Sequence, residues 1–326
     1  MRLMRYLLFA LIVLAAACTA EETPLPSPTL TPRPRRTAVP TQPLPPTPTV
    51  QVISTTAPQT MRSPLASPLR THTISPRRVL FVQGDHIPEN GYPHSRVRDD
   101  GSHPESFTHL RSEILERDLQ LSVDEWILGP QTTLTLSALS DYALIVLGSN
   151  ARPLYDDEVT ALVNYYLGGG SILTYADFQY GPQNWNSDNG LLQQFGLNVF
   201  SDNFQPTTRI SDVLTTHPVM NGVRALQVEG ISQLLITANA PANVQVLAQC
   251  LPQNRPGCIL PPPDSARLKA NDRVACVVAI EHTNGGRLAS VCDRNLFQNG
   301  PGPGSDLDQA DNRQFARNLF AWLTRD

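Results

Sequence analysis

The chain has 326 residues, with 25 Lys or Arg against 29 Asp or Glu, for a formal charge of −4. That balance, without a basic stripe, excludes the phosphate-neutralising surface that a nucleic-acid partner requires. With 30 prolines unevenly spread, the chain is not uniformly foldable, and the prolines mark where folding stops.

Residues 1–17 have the order of a secretory signal peptide. Arg2 and Arg5 are followed by an unbroken apolar run from Tyr6 to Ala17, which ends in Ala15-Ala16-Ala17 before Cys18. The run is too short for a comfortable bilayer span. A cysteine directly after small residues resembles a bacterial lipobox, in which the thiol is lipidated and becomes the mature N-terminus. Ala15 stands where Leu is usual, and Leu14 is one place early. The resemblance implies a lipoprotein of the bacterial cell envelope, extracytoplasmic and held to a membrane through Cys18. The alternative is ordinary secretion with an incidental cysteine. Thr19 offers no Asp retention signal, which in a two-membrane cell implies the outer membrane.

Residues 18–76 form a tether. Fourteen of the 30 prolines fall between Pro24 and Pro76, interleaved with Thr and Ser. Proline removes a backbone donor and fixes φ, so neither helix nor sheet is built here. Apolar side chains are sparse and aperiodic, and no core forms. At about 3 Å per residue, an extended polyproline-like chain reaches on the order of 150 Å. Arg33, Arg35, Arg36, Arg62 and Arg70 make the segment mildly basic, too dilute for a polybasic membrane anchor.

Residues 77–326 have the composition of a globular α/β domain. Arg78 to Gly84 (RVLFVQG) is a short apolar run ended by glycine, as in a buried parallel strand. A long polar loop follows. The spacing of Phe107, Leu110, Ile114 and Leu115 then predicts a helix from about Glu105 to Arg117. Asp141 to Gly148 predicts a second strand. Pro153 and the acidic Asp156, Asp157 and Glu158 open a helix whose dipole they complement, with Val159, Leu162, Val163 and Tyr166 as its buried stripe. Gly168-Gly169-Gly170 ends it. Ser171 to Ala176 is the next strand, and strand–helix–strand at this spacing implies a parallel sheet with a right-handed crossover.

The last third reads differently. Val244–Gln249, Val274–Glu281 and Arg287–Cys292 predict strands, the last two joined through Asn284-Gly285-Gly286 as a hairpin. A helix closes the domain from Asn312 to Thr324, with Phe315, Leu319, Phe320 and Leu323 on one face and Asp311 as N-cap. The expected fold class is therefore α/β: three layers, flavodoxin-like, a mainly parallel sheet and an antiparallel C-terminal hairpin.

Four cysteines fall in this domain, and an even number in an exported chain points to disulfides. Cys250 with Cys258 closes a short Pro/Gly loop and is the first expectation. Cys276 and Cys292 flank the hairpin, opposite one another or one residue out of step depending on turn register. No C-x-x-C pair exists to suggest metal ligation.

DYALIVLGSNARPLYDDEVTALVNYYLGGGSILTYAD, THPVMNGV, AIEHTNGGRLASVCDRNLFQN and DNRQFARNLFAWL occur in the order seen in the class I glutamine amidotransferase-like superfamily. The chain resembles most its non-catalytic GldG-type and intraflagellar-transport-type domains, with the ThuA-like group more distant. The resemblance spans roughly Arg78 to Arg325 and implies a flavodoxin-like sheet. Catalytic members carry a cysteine at the turn after the strand matching Ser171–Ala176. Here that turn reads Ala176-Asp177-Phe178-Gln179-Tyr180-Gly181, and Ser171 is at the wrong end of the strand. The His-x-Glu dyad of those enzymes is also not evident, because Glu281 and His282 are adjacent and alternate faces of a strand. The expectation leans away from an enzyme, with no catalytic residue and no cofactor assigned.

In a doubly wound sheet, ligands bind outside the carboxyl ends of the strands. The residues delivered there are Asp85 and His86; Ser149, Asn150 and Arg152; Asp177 and Gln179; then Asp293 and Asn295. Singly, such residues cap turns; as a group they suit a small polar ligand, a glycan or an envelope protein partner. His86, His94 and His103 could with carboxylates hold Zn²⁺, but their spacing matches no metal motif, so no metal is assigned. His217 belongs to the THPVMNG turn and is expected to be structural. Trp126 and Trp322 are expected to pack, while Trp185 is expected either to stack on a sugar or to cover the crevice.

The leading expectation is a lipid-anchored protein whose domain binds without catalysing. The alternative is a carbohydrate-active hydrolase or isomerase of ThuA-like type using Asp85, His86 and Asp177. A third reading is a structural spacer in an envelope assembly.

Overall fold

The computed structural model describes residues 77–84, 95–98, 103–128, 132–148, 153–175, 189–199, 208–214, 216–229, 233–249, 273–300 and 306–325. The chain divides into units Met1–Pro64 and Leu65–Asp326, and every described residue belongs to the second. The signal, the tether with Cys18, and the pair Cys250 and Cys258 lie outside the described residues.

The strands are β1 (Arg78–Gly84), β2 (Ser122–Leu128), β3 (Leu144–Gly148), β4 (Ser171–Tyr175), β5 (Leu197–Val199), β6 (Thr208–Ile210) and β7 (Asp212–Val213). They continue with β8 (Leu226–Val228), β9 (Leu234–Ile236), β10 (Gln245–Gln249), β11 (Arg273–Ala275), β12 (Val277–Glu281) and β13 (Arg287–Val291). The helices are α1 (Leu110–Asp118), α2 (Leu136–Leu139), α3 (Asp156–Leu167), α4 (Asn189–Gln193) and α5 (Asn312–Thr324). Eight strands share one sheet in the order β2-β1-β3-β4-β13-β12-β10-β7. The first five are parallel, and β12, β10 and β7 alternate antiparallel. The parallel run has the flavodoxin-like order, which reverses its direction of growth between β1 and β3. The fold is thus a mixed, mainly parallel α/β sheet with an antiparallel C-terminal part.

Alternation along the strands builds both faces. Val79 and Phe81 of β1, Leu144 and Val146 of β3, Leu173 of β4 and Ala289 of β13 pack with α1 and α5. Leu80, Val82, Ile145, Leu147, Ile172 and Leu288 face the other way, against α2, α3 and α4. A strand buried on both sides has to be apolar at nearly every position, and RVLFVQG is. Glu158 is fully buried, yet its carboxylate is satisfied. It accepts from the N–H of Tyr155 (2.9 Å), closing a capping box on α3, and from the N–H of Leu134 (3.1 Å).

Three expectations are corrected. The helix placed at Glu105–Arg117 runs Leu110–Asp118 with wide turns, Leu119 N–H reaching Ile114 C=O. Its buried residues Leu110, Ile114 and Leu115 recur every four to five positions, which a π-type winding places on one face. Phe107 lies before the helix, its N–H bonded to Arg96 C=O. The strand expected over Val274–Glu281 breaks at Cys276: β11 joins a small sheet with β9 and β5, while β12 stays in the large one. Asp311 occupies the N-cap of α5, but its carboxylate caps nothing there. Its Oδ2 accepts instead from the N–H groups of Arg224 (2.8 Å) and Ala225 (3.1 Å), tying the chain before β8 to the helix.

The hairpin register Val277↔Val291 puts Cys276 opposite Cys292, and the two form a disulfide with Cα atoms 4.7 Å apart. The strand β2, which sequence analysis passed over, flanks β1 at the edge of the sheet. Residues 95–98 cover it: Arg96 grips Glu125 at 2.8 and 2.7 Å, and Arg98 donates to Val123 C=O. Covering an edge strand in this way blocks further strand pairing.

Candidate functional site

The carboxyl ends of β1 and β4 carry a buried polar relay. Gln83 closes β1 with its side chain 1% exposed. Its Nε2 donates to Ser95 C=O at 2.8 Å, and its Oε1 accepts from Tyr175 Oη at 3.3 Å. Tyr175 is the last residue of β4, so one amide joins two strand ends across β3. Ser95 also donates its N–H to Glu105 C=O (2.9 Å) and holds φ at 63°, in the left-handed region that disfavours a side chain. Its hydroxyl is buried without a hydrogen-bond partner. Such a group costs free energy unless a ligand or an ordered water satisfies it.

Asn299 bolts the segment 103–109 onto this edge. Its Nδ2 donates to Thr108 Oγ1 (2.6 Å) and Ser106 Oγ (2.7 Å), and its Oδ1 accepts from His109 N–H at 2.7 Å. Phe107, Tyr175 and Phe297 meet edge-on beneath, with centroids 5.7 to 6.4 Å apart. Glu105 is half-buried, and burial pushes its carboxyl upward against the opposing pull of Arg294 and His103. Arg294, 2% exposed, is the buried cation of this edge.

Of the residues expected at the crevice, Asp293 and Asn295 come together. Asp293 Oδ2 accepts from Glu229 N–H (2.7 Å) and its Oδ1 from Asn295 N–H (2.7 Å). Asn295 Nδ2 returns a bond to Glu229 C=O at 3.1 Å. The pair clamps the end of β8 to the turn after β13. Asp85, His86, Ser149, Asn150, Arg152, Asp177 and Gln179 lie outside the described residues, as do His94 and Trp185. They follow directly on the ends of β1, β3 and β4 in the chain. His103 is described, and no group of three metal-ligating side chains occurs among the described residues. Glu281 and His282 sit at the hairpin turn, beside the amino end of β13 and so at the opposite edge from this cluster. His217 is structural as expected, its Nδ1 accepting from Val219 N–H at 3.2 Å.

Gln83, Ser95, Glu105, Tyr175 and Arg294 were not singled out from sequence. Gln83 carried a signal, being the one polar side chain inside the apolar run of β1. Elsewhere, Gln233 is 1% exposed and neither polar atom of its amide has a partner among the described residues. It lies between Glu229, which is clamped by Asp293, and Leu234, which pairs with Ala275. No thiol is present among these groups, so the arrangement offers hydrogen bonds, the buried carboxylate of Asp293 and the half-buried carboxyl of Glu105.

No family model and no curated protein matches this chain. Among solved structures it is similar to the mmIFT52 N-terminal domain, at 16% identity over 76% of this chain and 97% of that one, with a TM-score of 0.49. It is also similar to a putative ThuA-like protein from Bacteroides uniformis, at 16% identity over 77% and 92%, with a TM-score of 0.45. A glutamine amidotransferase from Thermotoga maritima matches at 11% identity over 77% and 100%, with a TM-score of 0.41. At such values the fold assignment rests on strand order and direction.

Proposed function

We propose that this chain is a lipid-anchored extracytoplasmic protein of the bacterial envelope, with Cys18 lipidated and residues 18–76 as its tether. Its amidotransferase-like domain binds a partner or small polar ligand at the strand C-terminal edge and does not transform it. The observation that carries the binding half is the relay Tyr175–Gln83–Ser95, which ends on the carbonyl of a residue whose own hydroxyl is buried without a partner. Rigid buried polar groups at a switch point hold a ligand's hydroxyls or amides. The turn after β4 supplies no cysteine for thiol-dependent acyl transfer. The anchoring half is supported by the residues around Cys18 alone.

Two experiments test the two halves. Metabolic labelling with a radioactive fatty acid in a bacterial host should mark the protein and fail in Cys18→Ser; equal labelling of the variant refutes the anchor. A thermal-shift screen of the full chain against sugars, peptidoglycan fragments and divalent metals should show a shift that Tyr175→Phe and Ser95→Ala reduce. Turnover of a glycan would favour the hydrolase reading, and no shift with any compound the spacer.

A further inference from the structure

A cavity of about 400 Å³ opens at the opposite edge of the sheet. Pro218, Arg287, Asn318, Ala321, Trp322 and Arg325 line it. Arg287 begins β13 in register with Ser171, the first residue of β4, so this is the amino edge of the parallel strands.

Its two guanidinium groups differ. Arg287 is neutralised: Nε and Nη2 reach Glu281 Oε1 at 2.9 and 2.8 Å, and Nη1 donates to Trp322 C=O. Its plane lies over the Trp322 ring, 5.2 Å from the centroid. Arg325 is fixed but not neutralised. Its Nη2 donates to Gly169 C=O (2.6 Å) and to Gly285 C=O, and among the described residues no carboxylate pairs with it. Among the described residues no hydrogen bond engages its Nε or Nη1. Arg325 holds the left-handed cap of α5 with φ at 65°, a place where Gly or Asn is usual. The guanidinium is what the chain gains by accepting that backbone.

The remaining walls are equally fixed. Asn318 Nδ2 donates to Val219 C=O (3.1 Å) and Asn221 C=O (2.7 Å), holding the turn that carries Pro218 against α5. His217 meets Trp322 edge-on at 5.1 Å. A site whose donors and walls are held before binding loses little entropy when a ligand arrives.

We infer that this cavity is a carboxylate-binding site, with Arg325 as the charged donor and Pro218, Ala321 and the edge of Trp322 receiving a short apolar body. A planar guanidinium with two free donors matches a carboxylate fork. Among the described residues the Arg287 charge is paired with Glu281 and the Arg325 charge with no carboxylate, so the cavity suits a monoanion. The carboxylate has two possible sources, a free small acid or the C-terminus of a partner chain.

The test uses the full chain, with benzoate and its uncharged isostere benzamide, and the peptide Gly-Ala-Phe as free acid and as amide. Tryptophan fluorescence and thermal shift are followed. Benzoate or the acid peptide should bind saturably, with the uncharged counterpart about tenfold weaker. Arg325→Gln should weaken binding by a similar factor. Ala321→Leu, which fills the cavity and spares the Arg325 bonds, should do the same if Arg325→Gln unfolds. Preference for benzoate identifies a small acid, and preference for the peptide acid a chain terminus. Absence of binding, equal binding of the uncharged forms, or binding unchanged in both variants overturns the site.

Discussion

The two edges of the central sheet use polar residues in opposite ways. At the carboxyl edge, two amides and a carboxylate hold the backbone of neighbouring segments: Gln83 holds Ser95, Asn299 holds residues 103–109, and Asp293 holds Glu229. The hydroxyl of Ser95 there is buried and uncharged, and Glu105 and Arg294 bring opposite charges to the same edge. At the amino edge Arg287 and Arg325 join Asn318 in holding backbone carbonyls, and Arg325 brings a positive charge to the cavity. The Ser95 hydroxyl at the one edge suits a neutral polar group, and the Arg325 guanidinium at the other suits an anion.

The largest test of this contrast removes the support under the carboxyl edge. Phe297 is 1% exposed and contacts Phe107, Tyr175, Phe315 and Phe320. Phe297→Ala should cost about 3–5 kcal/mol in denaturant-induced unfolding. It should also abolish any ligand shift at that edge while sparing benzoate binding at the other. Loss of both together would mean that the edges are not independent. Next comes the disulfide, which ties the two strands that run from one edge to the other. Cys276 and Cys292 close a loop with a sequence separation of 16, for which chain entropy alone gives about 3 kcal/mol. The double variant to Ser should lower stability by that order, and reductant should lower the parent protein to meet it.

Legibility followed burial and length. β1, α3, β4 and α5 were read from sequence because each buries a continuous face, and periodicity reports continuous faces. Strands of two or three residues such as β7 and β9 hold too few positions to show a period. β2 was missed because SVDEWIL spends Asp124 and Glu125 on Arg78 and Arg96, which hides its apolar positions. Of the residues that the strand-end rule named, Asp293 and Asn295 lie together after β13. The rule did not find Ser95 or Arg294, whose roles come from partners distant in the chain. The disulfide register was open in sequence because a turn of Thr283-Asn284-Gly285-Gly286 allows two alignments; Gly285, with φ at 88°, fixes one of them.

A smaller effect separates the two edges. Ser95→Gly removes both the left-handed strain and the buried hydroxyl, so stability should rise on the order of 1 kcal/mol in equilibrium unfolding. The same variant should lose the ligand shift at the carboxyl edge, which makes Ser95 a residue kept at a cost to stability. A fall in stability would show that the hydroxyl is already satisfied within the protein.

The smallest effect is a pH dependence at the amino edge. Burial lowers the pKa of His217 below its ordinary 6.5, with the Arg287 cation adding to it and Glu281 opposing. Above pH 6.5 the imidazole is neutral in both the folded and unfolded chain, and the protein keeps its full stability. As pH falls through 6.5, the unfolded chain takes up the proton first, so stability declines until the folded pKa is passed. Unfolding midpoints between pH 8 and pH 5 should fall accordingly, and His217→Gln should flatten that part of the profile. A carboxylate seated beside Arg325 adds negative charge near the same imidazole, so saturating benzoate should shrink the slope in the parent protein and leave the variant unchanged. An unaltered slope would mean that the anion, if bound, sits too far from His217 for the amino edge to act as one electrostatic unit.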